Sequence, residues 1–166
     1  MRLVMFSQSD SVPRMGAITK RGVVDFWPIG IPDDMATFAA LSDALLPEAI
    51  AFAAEAEPID VDDVTLHAPI TQPPKNIMCV DFNHVGAVGE FATSGFDVVG
   101  ERAAPKDIVV SSKPANAIIG PDDAIDTSRD PSGTTDYEGE LGVIIGEGGS
   151  DIGHGEAGRH VFGYTI

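Results

Sequence analysis

Two glutamates, Glu138 and Glu140, stand one residue apart in the segment TDYEGELGVIIG, directly before a short apolar run. The β-branched run and its bounding glycines predict a strand over 137–145. Side chains of a strand alternate between its faces, so the two carboxylates would share one face, with their Cα atoms about 6.6 to 7 Å apart. Such a pair suits one hard divalent cation. A solvated strand end carrying paired acids is the other interpretation that the spacing allows.

The composition restricts the classes of macromolecular partner and the cellular compartment that we expect for this protein. The 166-residue chain has a formal net charge of −16, which speaks against nucleic acid and anionic membranes, because both are bound through clustered Lys and Arg. No apolar run approaches the roughly 18 residues of a membrane span, and no signal peptide is recognisable. The single cysteine, Cys79, lies in the apolar run IMCV, which favours a buried thiol in a reducing compartment. We expect a cytoplasmic protein.

Patterns in residues 1–70 predict a small α+β domain. Short apolar runs alternate with polar turns, and apolar residues then recur at helical spacing beyond Asp33 and Asp34, which suit a helix N-terminus. Pro47 predicts a break in the helix and the first turn of a second one, which Pro58 ends. The predicted strands are 2–6, 15–19, 23–27 and 60–66.

The remainder of the chain returns to a strand pattern after a linker at 68–74 that contains three prolines. We place the domain boundary at this linker, which gives a small domain at 1–70 and a second domain at 71–166. A short helix is predicted at 156–160. The predicted strands of the second domain are 77–82, 108–112, 137–145 and 161–166.

Several sequence blocks of the second domain occur in an order typical of one enzyme family. The blocks are IMCV followed by Asn83, KP at 113–114 leading into AIIGP, DYEGEL at 136–141 and VFGYTI at 161–166. In these blocks residues 75–166 resemble the opening half of the catalytic domain of the fumarylacetoacetate hydrolase family. Residues 1–70 are similar to the small N-terminal domain of its bacterial members. The resemblance implies an α+β, β-rich fold, in which that domain precedes the first part of a mixed-sheet, roll-like catalytic domain.

The resemblance implies a metal centre and a class of substrate. It makes Glu138 and Glu140 ligands of Mg²⁺ or Mn²⁺, with Ca²⁺ as a further candidate, and it makes a small diketo or oxo acid the substrate. The implied activity is hydrolytic cleavage of a C–C bond. The alternatives are decarboxylation or tautomerisation of an oxo dicarboxylic acid in aromatic catabolism, or an inactive truncated chain. Lys113 is a candidate anchor for substrate charge or the oxyanion; a surface ion pair is the other interpretation.

One block departs from the family pattern. The family motif N-Y-x-x-H-x-x-E supplies a His–Glu pair that activates water, and Glu90 falls on its glutamate, whereas Ala87 stands at the histidine and His84 at the tyrosine. On one helix His84 and Glu90 would lie roughly 120° apart around the axis and roughly 9 Å along it. His84 could therefore replace the histidine only from a non-helical loop, and a polar surface role remains open.

The expected partners follow from the same resemblance. In the family an Asp soon after the VFGYT block supplies a third metal ligand, so residues up to Ile166 provide two of the expected ligands. Faces left uncovered in a partial sheet invite association with another chain. We therefore expect a homodimer, or association with a complementing chain, and no nucleic-acid or membrane partner.

Overall fold

The computed structural model of the protein describes residues 1–9, 11–84 and 107–166. The chain forms two compact units, one of residues Met1–Thr71 with Ile119–Ile166 and one of residues Gln72–Ile118. Within the described residues the structure is a small mixed α/β protein whose sheets are all antiparallel. The division into domains at residue 70 and the roll-like packing stay predictions.

The first unit is built on a four-stranded sheet. Its strands are β1 (Arg2–Ser7), β2 (Arg14–Thr19), β3 (Gly22–Asp25) and β4 (Thr65–His67). They lie in the order β3-β2-β1-β4, and Met5 of β1 is paired with Met15 on one side and His67 on the other. Gly16 is required at its position, because a Cβ there would lie 2.3 Å from the carbonyl oxygen of Val24.

Three of these strands confirm the sequence pattern to within two residues, and the fourth is shorter than predicted. The carboxylate of Asp60 accepts a hydrogen bond from the backbone N–H of Asp62, which favours a 3₁₀ turn at Val61–Asp63 instead of an extended chain. Strand β4 therefore begins only at Thr65.

Two helices cover the sheet, α1 (Met35–Ala40) and α2 (Ser42–Glu55). The predicted N-cap is confirmed at Asp34, whose side chain accepts hydrogen bonds from the backbone N–H groups of Ala36 and Thr37. The predicted break at Pro47 is wrong, because the chain turns at Leu41 and Pro47 lies inside α2. Burial of Ala49 and Ala53 on the core side of α2 outweighs the local cost of the proline.

The first unit also contains the hairpin of β7 (Gly142–Ile145) and β8 (Val161–Thr165). Phe162 of β8 packs on the N-terminal core, with its ring centroid 6.0 Å from that of Phe38 and the ring planes at 68°. The residues of that core are Met5, Met15, Ala17, Val24, Phe26, Ile31, Met35, Phe38, Ala49 and Ala53.

The second unit contains the antiparallel pair β5 (Ile77–Asp81) and β6 (Val109–Lys113). Cys79 of β5 is buried, which confirms the prediction of a buried thiol. In the described part of the chain, no helix is long and apolar enough to cross a membrane.

Candidate active site

The two glutamates of the DYEGEL block lie immediately before β7. The strand prediction for 137–145 is wrong in its first half, since the ladder begins at Gly142, which pairs with Thr165 of β8. Residues 137–141 have irregular backbone structure, and both Glu138 and Glu140 are exposed. The carboxylates thus sit on a connecting segment and not on the regular face that strand alternation would have provided.

The donor chemistry of this pair fits a hard divalent cation, because Mg²⁺ and Mn²⁺ prefer carboxylate oxygens. Two carboxylates fill only part of a six-coordinate shell. Among residues 1–9, 11–84 and 107–166, no group of three or more His, Cys, Asp or Glu side chains is arranged to hold a metal ion. Glu138 and Glu140 therefore fit the ion as a partial ligand set, and their assignment as ligands stays a prediction.

The loop before the glutamates is organised by one aspartate, Asp130. Its Oδ1 accepts hydrogen bonds from the backbone N–H and the hydroxyl of Ser132, at 2.8 and 2.5 Å. Its Oδ2 accepts from the backbone N–H and the hydroxyl of Thr135, at 3.1 and 2.6 Å. The Ser132 hydroxyl, followed by that of Thr135, holds the pKa of the Asp130 carboxyl well below its usual value.

Sequence reasoning missed Asp130. The signal that could have found it is local: an aspartate with Ser at the second following position and Thr at the fifth, beside Pro131 and Gly133. Asp and Ser side chains in such runs bond to the backbone just ahead of them. Gly133 has a φ of 62°, in the left-handed region that glycine adopts at no steric cost.

Lys113 is the last residue of β6, where it pairs in register with Ile77. Its side chain is exposed. Pro114 follows, and a 3₁₀ turn over Ala115–Ala117 carries the chain away from the strand. Lys113 and the glutamate pair belong to different compact units, and the role of Lys113 as a substrate anchor stays a prediction.

His84 is exposed and lies three residues beyond the end of β5. Between them, Phe82 has a φ of 55°, so the backbone leaves the strand through a left-handed turn instead of running straight into a helix. Glu90 and Ala87 lie outside the described residues. The catalytic roles of His84 and Glu90 stay predictions.

Comparison with known proteins defines the class of this chain. The family model of the fumarylacetoacetate (FAA) hydrolase C-terminal domain matches residues 76–166. The chain belongs to the fumarylacetoacetate hydrolase family. The solved structure of a fumarylacetoacetate hydrolase from the psychrophilic Exiguobacterium antarcticum superimposes on all of this chain and 55% of that chain, with a TM-score of 0.67 and 28% sequence identity.

Particular relatives are more informative about the type of reaction. The chain is similar to the mitochondrial oxaloacetate tautomerase FAHD2A of Homo sapiens, with 34% identity over 173 residues that cover 100% of this chain and 51% of that protein. Oxaloacetate tautomerase YisK of Bacillus subtilis (strain 168) is 35% identical over 106 residues, which cover 64% of this chain and 33% of that protein. The chain thus spans about half the length of FAHD2A. Its match with YisK covers a third of that protein.

Proposed function

We propose that this chain contributes to a divalent-cation-dependent enzyme that interconverts the keto and enol forms of a small oxo dicarboxylic acid, with oxaloacetate as substrate. The observation that carries the proposal is similarity over the whole chain to proteins named oxaloacetate tautomerase. Hydrolysis of a diketo acid, the first activity implied by the family resemblance, is the competing proposal.

The residues around position 87 favour tautomerisation over hydrolysis. Hydrolysis needs an activated water, and Ala87 stands where the family motif has the histidine of its water-activating pair. Loss of a general base typically slows a reaction that needs one by about 10² to 10⁴. Tautomerisation consumes no water: from the enol to the keto form, the hydroxyl on carbon 2 loses a proton and carbon 3 gains one. One carboxylate, Glu90, suffices as the acid–base group for such an exchange.

Other residues of the family blocks receive roles in binding. Glu138 and Glu140 are proposed to hold Mg²⁺ or Mn²⁺, which when bound would polarise the oxo group of the substrate. Lys113 is proposed to pair with a substrate carboxylate, since an oxo dicarboxylic acid carries two negative charges and the chain itself is strongly acidic. His84 is proposed as a second acid–base group, and the left-handed turn at Phe82 supports a non-helical path towards it.

The test is the rate at which enol oxaloacetate, followed by its ultraviolet absorbance, converts to the keto form in the presence of Mg²⁺. We expect the protein to accelerate the conversion over buffer and Glu138→Gln to abolish the acceleration. Glu147→Gln is the matched control, because it removes the same charge from an exposed position beyond β7. Cleavage of a diketo acid without any effect on the enol would overturn the proposal in favour of hydrolysis.

A further proposal concerns the partner. The outer face of the β7–β8 hairpin exposes apolar side chains: Val143 is 49% exposed, Ile145 55% and Tyr164 67%. Since the superimposed relative has nearly as many residues again as this chain matches, we propose that further polypeptide of the same family fold covers this face. Light scattering is the test. A monomer with a mass of 17.4 kDa, which binds a hydrophobic dye more strongly than the Val143→Thr, Ile145→Thr double variant does, supports an exposed apolar face that further polypeptide would cover. A mass twice as large, which the double variant reduces to that of one chain, supports a homodimer instead.

A further inference from the structure

The segment that carries Glu138 and Glu140 is held at both of its ends. After it, Gly142 is locked into the β7–β8 ladder opposite Thr165. Before it, the hydrogen bonds of Asp130 reach Thr135. Only residues 136–141 lie between these two restraints, so the freedom of the carboxylate pair depends on how firmly each end is held.

The restraint at the first end is dense. Both oxygens of Asp130 accept two hydrogen bonds each, from Ser132 and Thr135. The Ser132 hydroxyl also lies 2.7 Å from that of Thr134 and accepts from the backbone N–H of Thr134 at 3.2 Å. The backbone N–H of Asp130 in turn donates to the carbonyl oxygen of Thr127 at 3.0 Å. Hydrogen bonds to an ionised acceptor are the stronger kind.

The restraint continues towards the glutamates by one more bond. Asp136 follows Thr135 directly, and its carboxylate accepts a hydrogen bond from the backbone N–H of Tyr137 at 2.8 Å. Glu138 is the next residue. Only the peptide bond between Thr135 and Asp136 joins the bonds of Asp130 to this local one, which ends at the residue before the first carboxylate.

We propose that Asp130 is a positioning residue for the cation site: by holding Thr135 it preorganises the segment from which Glu138 and Glu140 bind the ion. Asp130 does not itself contact the ion in this arrangement, because its oxygens are occupied by Ser132 and Thr135. The inference rests on the proposed metal-binding function of the two glutamates. Preorganised ligands bind a cation more tightly because less conformational entropy is lost on binding.

The test is titration of Mn²⁺, followed by the paramagnetic resonance of the free ion, into the wild type and three variants. Removal of a group bonded directly to a metal ligand typically weakens binding by about 10- to 100-fold. Because Asp130 acts through Thr135, we expect Asp130→Ala to weaken binding by no more than about tenfold. Thr135→Val should weaken binding by a smaller factor, since it removes the hydroxyl and keeps the N–H. Thr135→Ser, which keeps both the hydroxyl and the backbone N–H as donors, should bind Mn²⁺ with the wild-type affinity.

Asp126→Ala is the matched control. Asp126 accepts a hydrogen bond from the backbone N–H of Ser128 in the same exposed loop, and like Asp130 its pKa is lowered by the neighbouring serine hydroxyl. It makes no bond to Thr135, so its removal should leave Mn²⁺ affinity and the midpoint of thermal unfolding unchanged. Affinity lost equally in Asp126→Ala and Asp130→Ala would overturn the positioning role, because it would mean that loop charge alone matters.

A second readout separates this inference from the metal proposal. In the metal-free protein, nuclear relaxation of the backbone N–H groups of residues 136–141 should show greater mobility in Asp130→Ala than in Asp126→Ala, with the core unchanged. Equal mobility in the two variants refutes the inference even if Mn²⁺ binds. Absence of Mn²⁺ binding by the wild type, with Glu138→Gln indistinguishable from it, refutes the metal proposal and the inference together.

Discussion

The contact between Phe38 and Phe162 joins the β7–β8 hairpin to the N-terminal core, and a double-mutant cycle measures it. Phe38 is fully buried in α1, so Phe38→Ala should lower the free energy of unfolding by about 3 to 5 kcal/mol. Phe162 is only half-buried, so Phe162→Ala should lower it by about 2 kcal/mol. The edge-to-face pair should add a coupling energy of about 0.5 to 1.5 kcal/mol.

Urea unfolding followed by far-ultraviolet circular dichroism is a suitable assay, because it reports the loss of the helices α1 and α2, whereas Trp27, the one tryptophan of the sequence, is already 61% exposed in the folded protein. Tyr164→Ala is the matched control: it removes an exposed aromatic ring two residues along the same strand and should change stability by less than about 0.5 kcal/mol. A coupling energy near zero, with Phe162→Ala no more harmful than Tyr164→Ala, would refute the packing of the hairpin on α1.

Three further predictions concern the first unit and use the same unfolding assay. Asp34→Ala removes the N-cap of α1 and should cost about 1 kcal/mol. The hydrogen bond from Thr37 holds the pKa of Asp34 below 3.8. The loss of unfolding free energy in Asp34→Ala should therefore have its full size at pH 6 and diminish as the pH falls from about 4 through the folded-state pKa. Asp34→Asn should show a smaller loss without that pH dependence. Arg21→Met should cost about 1 to 2 kcal/mol, because the guanidinium donates to carbonyl oxygens at the C-terminal end of α2; an unchanged urea midpoint would argue against this cap. Gly16→Ala should cost at least about 2 kcal/mol, since its Cβ would collide with the carbonyl of Val24, and Gly163→Ala, in β8 with no atom within 4 Å of its Cβ, should cost less.

Local patterns in the sequence predicted several elements and one buried side chain correctly. Strands β1 and β2, the N-cap at Asp34 and the buried thiol of Cys79 follow from alternation, capping chemistry and an apolar run. The DYEGEL and VFGYTI blocks indicated the family, which the match over residues 76–166 confirms. Family blocks are informative because they combine residue types and spacing over a long stretch, which chance rarely reproduces.

The tertiary structure decided where local preferences compete. Pro47 lies inside α2, because burial of Ala49 and Ala53 on the core repays the hydrogen bond that proline lacks. Similarly, β7 begins at Gly142 and not at Tyr137, because a strand extends only as far as its ladder, and the ladder with β8 begins at the Gly142–Thr165 pair.

The placement of the two glutamates shows the same division. The sequence by itself determined their identity, their spacing and the hard-cation chemistry that carboxylate oxygens favour. Only the tertiary structure decided that they stand on an irregular segment between the Asp130 loop and β7. The packing of Phe162 on Phe38, 124 positions away in sequence, was equally invisible to local patterns. The physical reason is that residue types set local conformational preferences, whereas contacts between distant segments depend on which surfaces the whole chain can bury together.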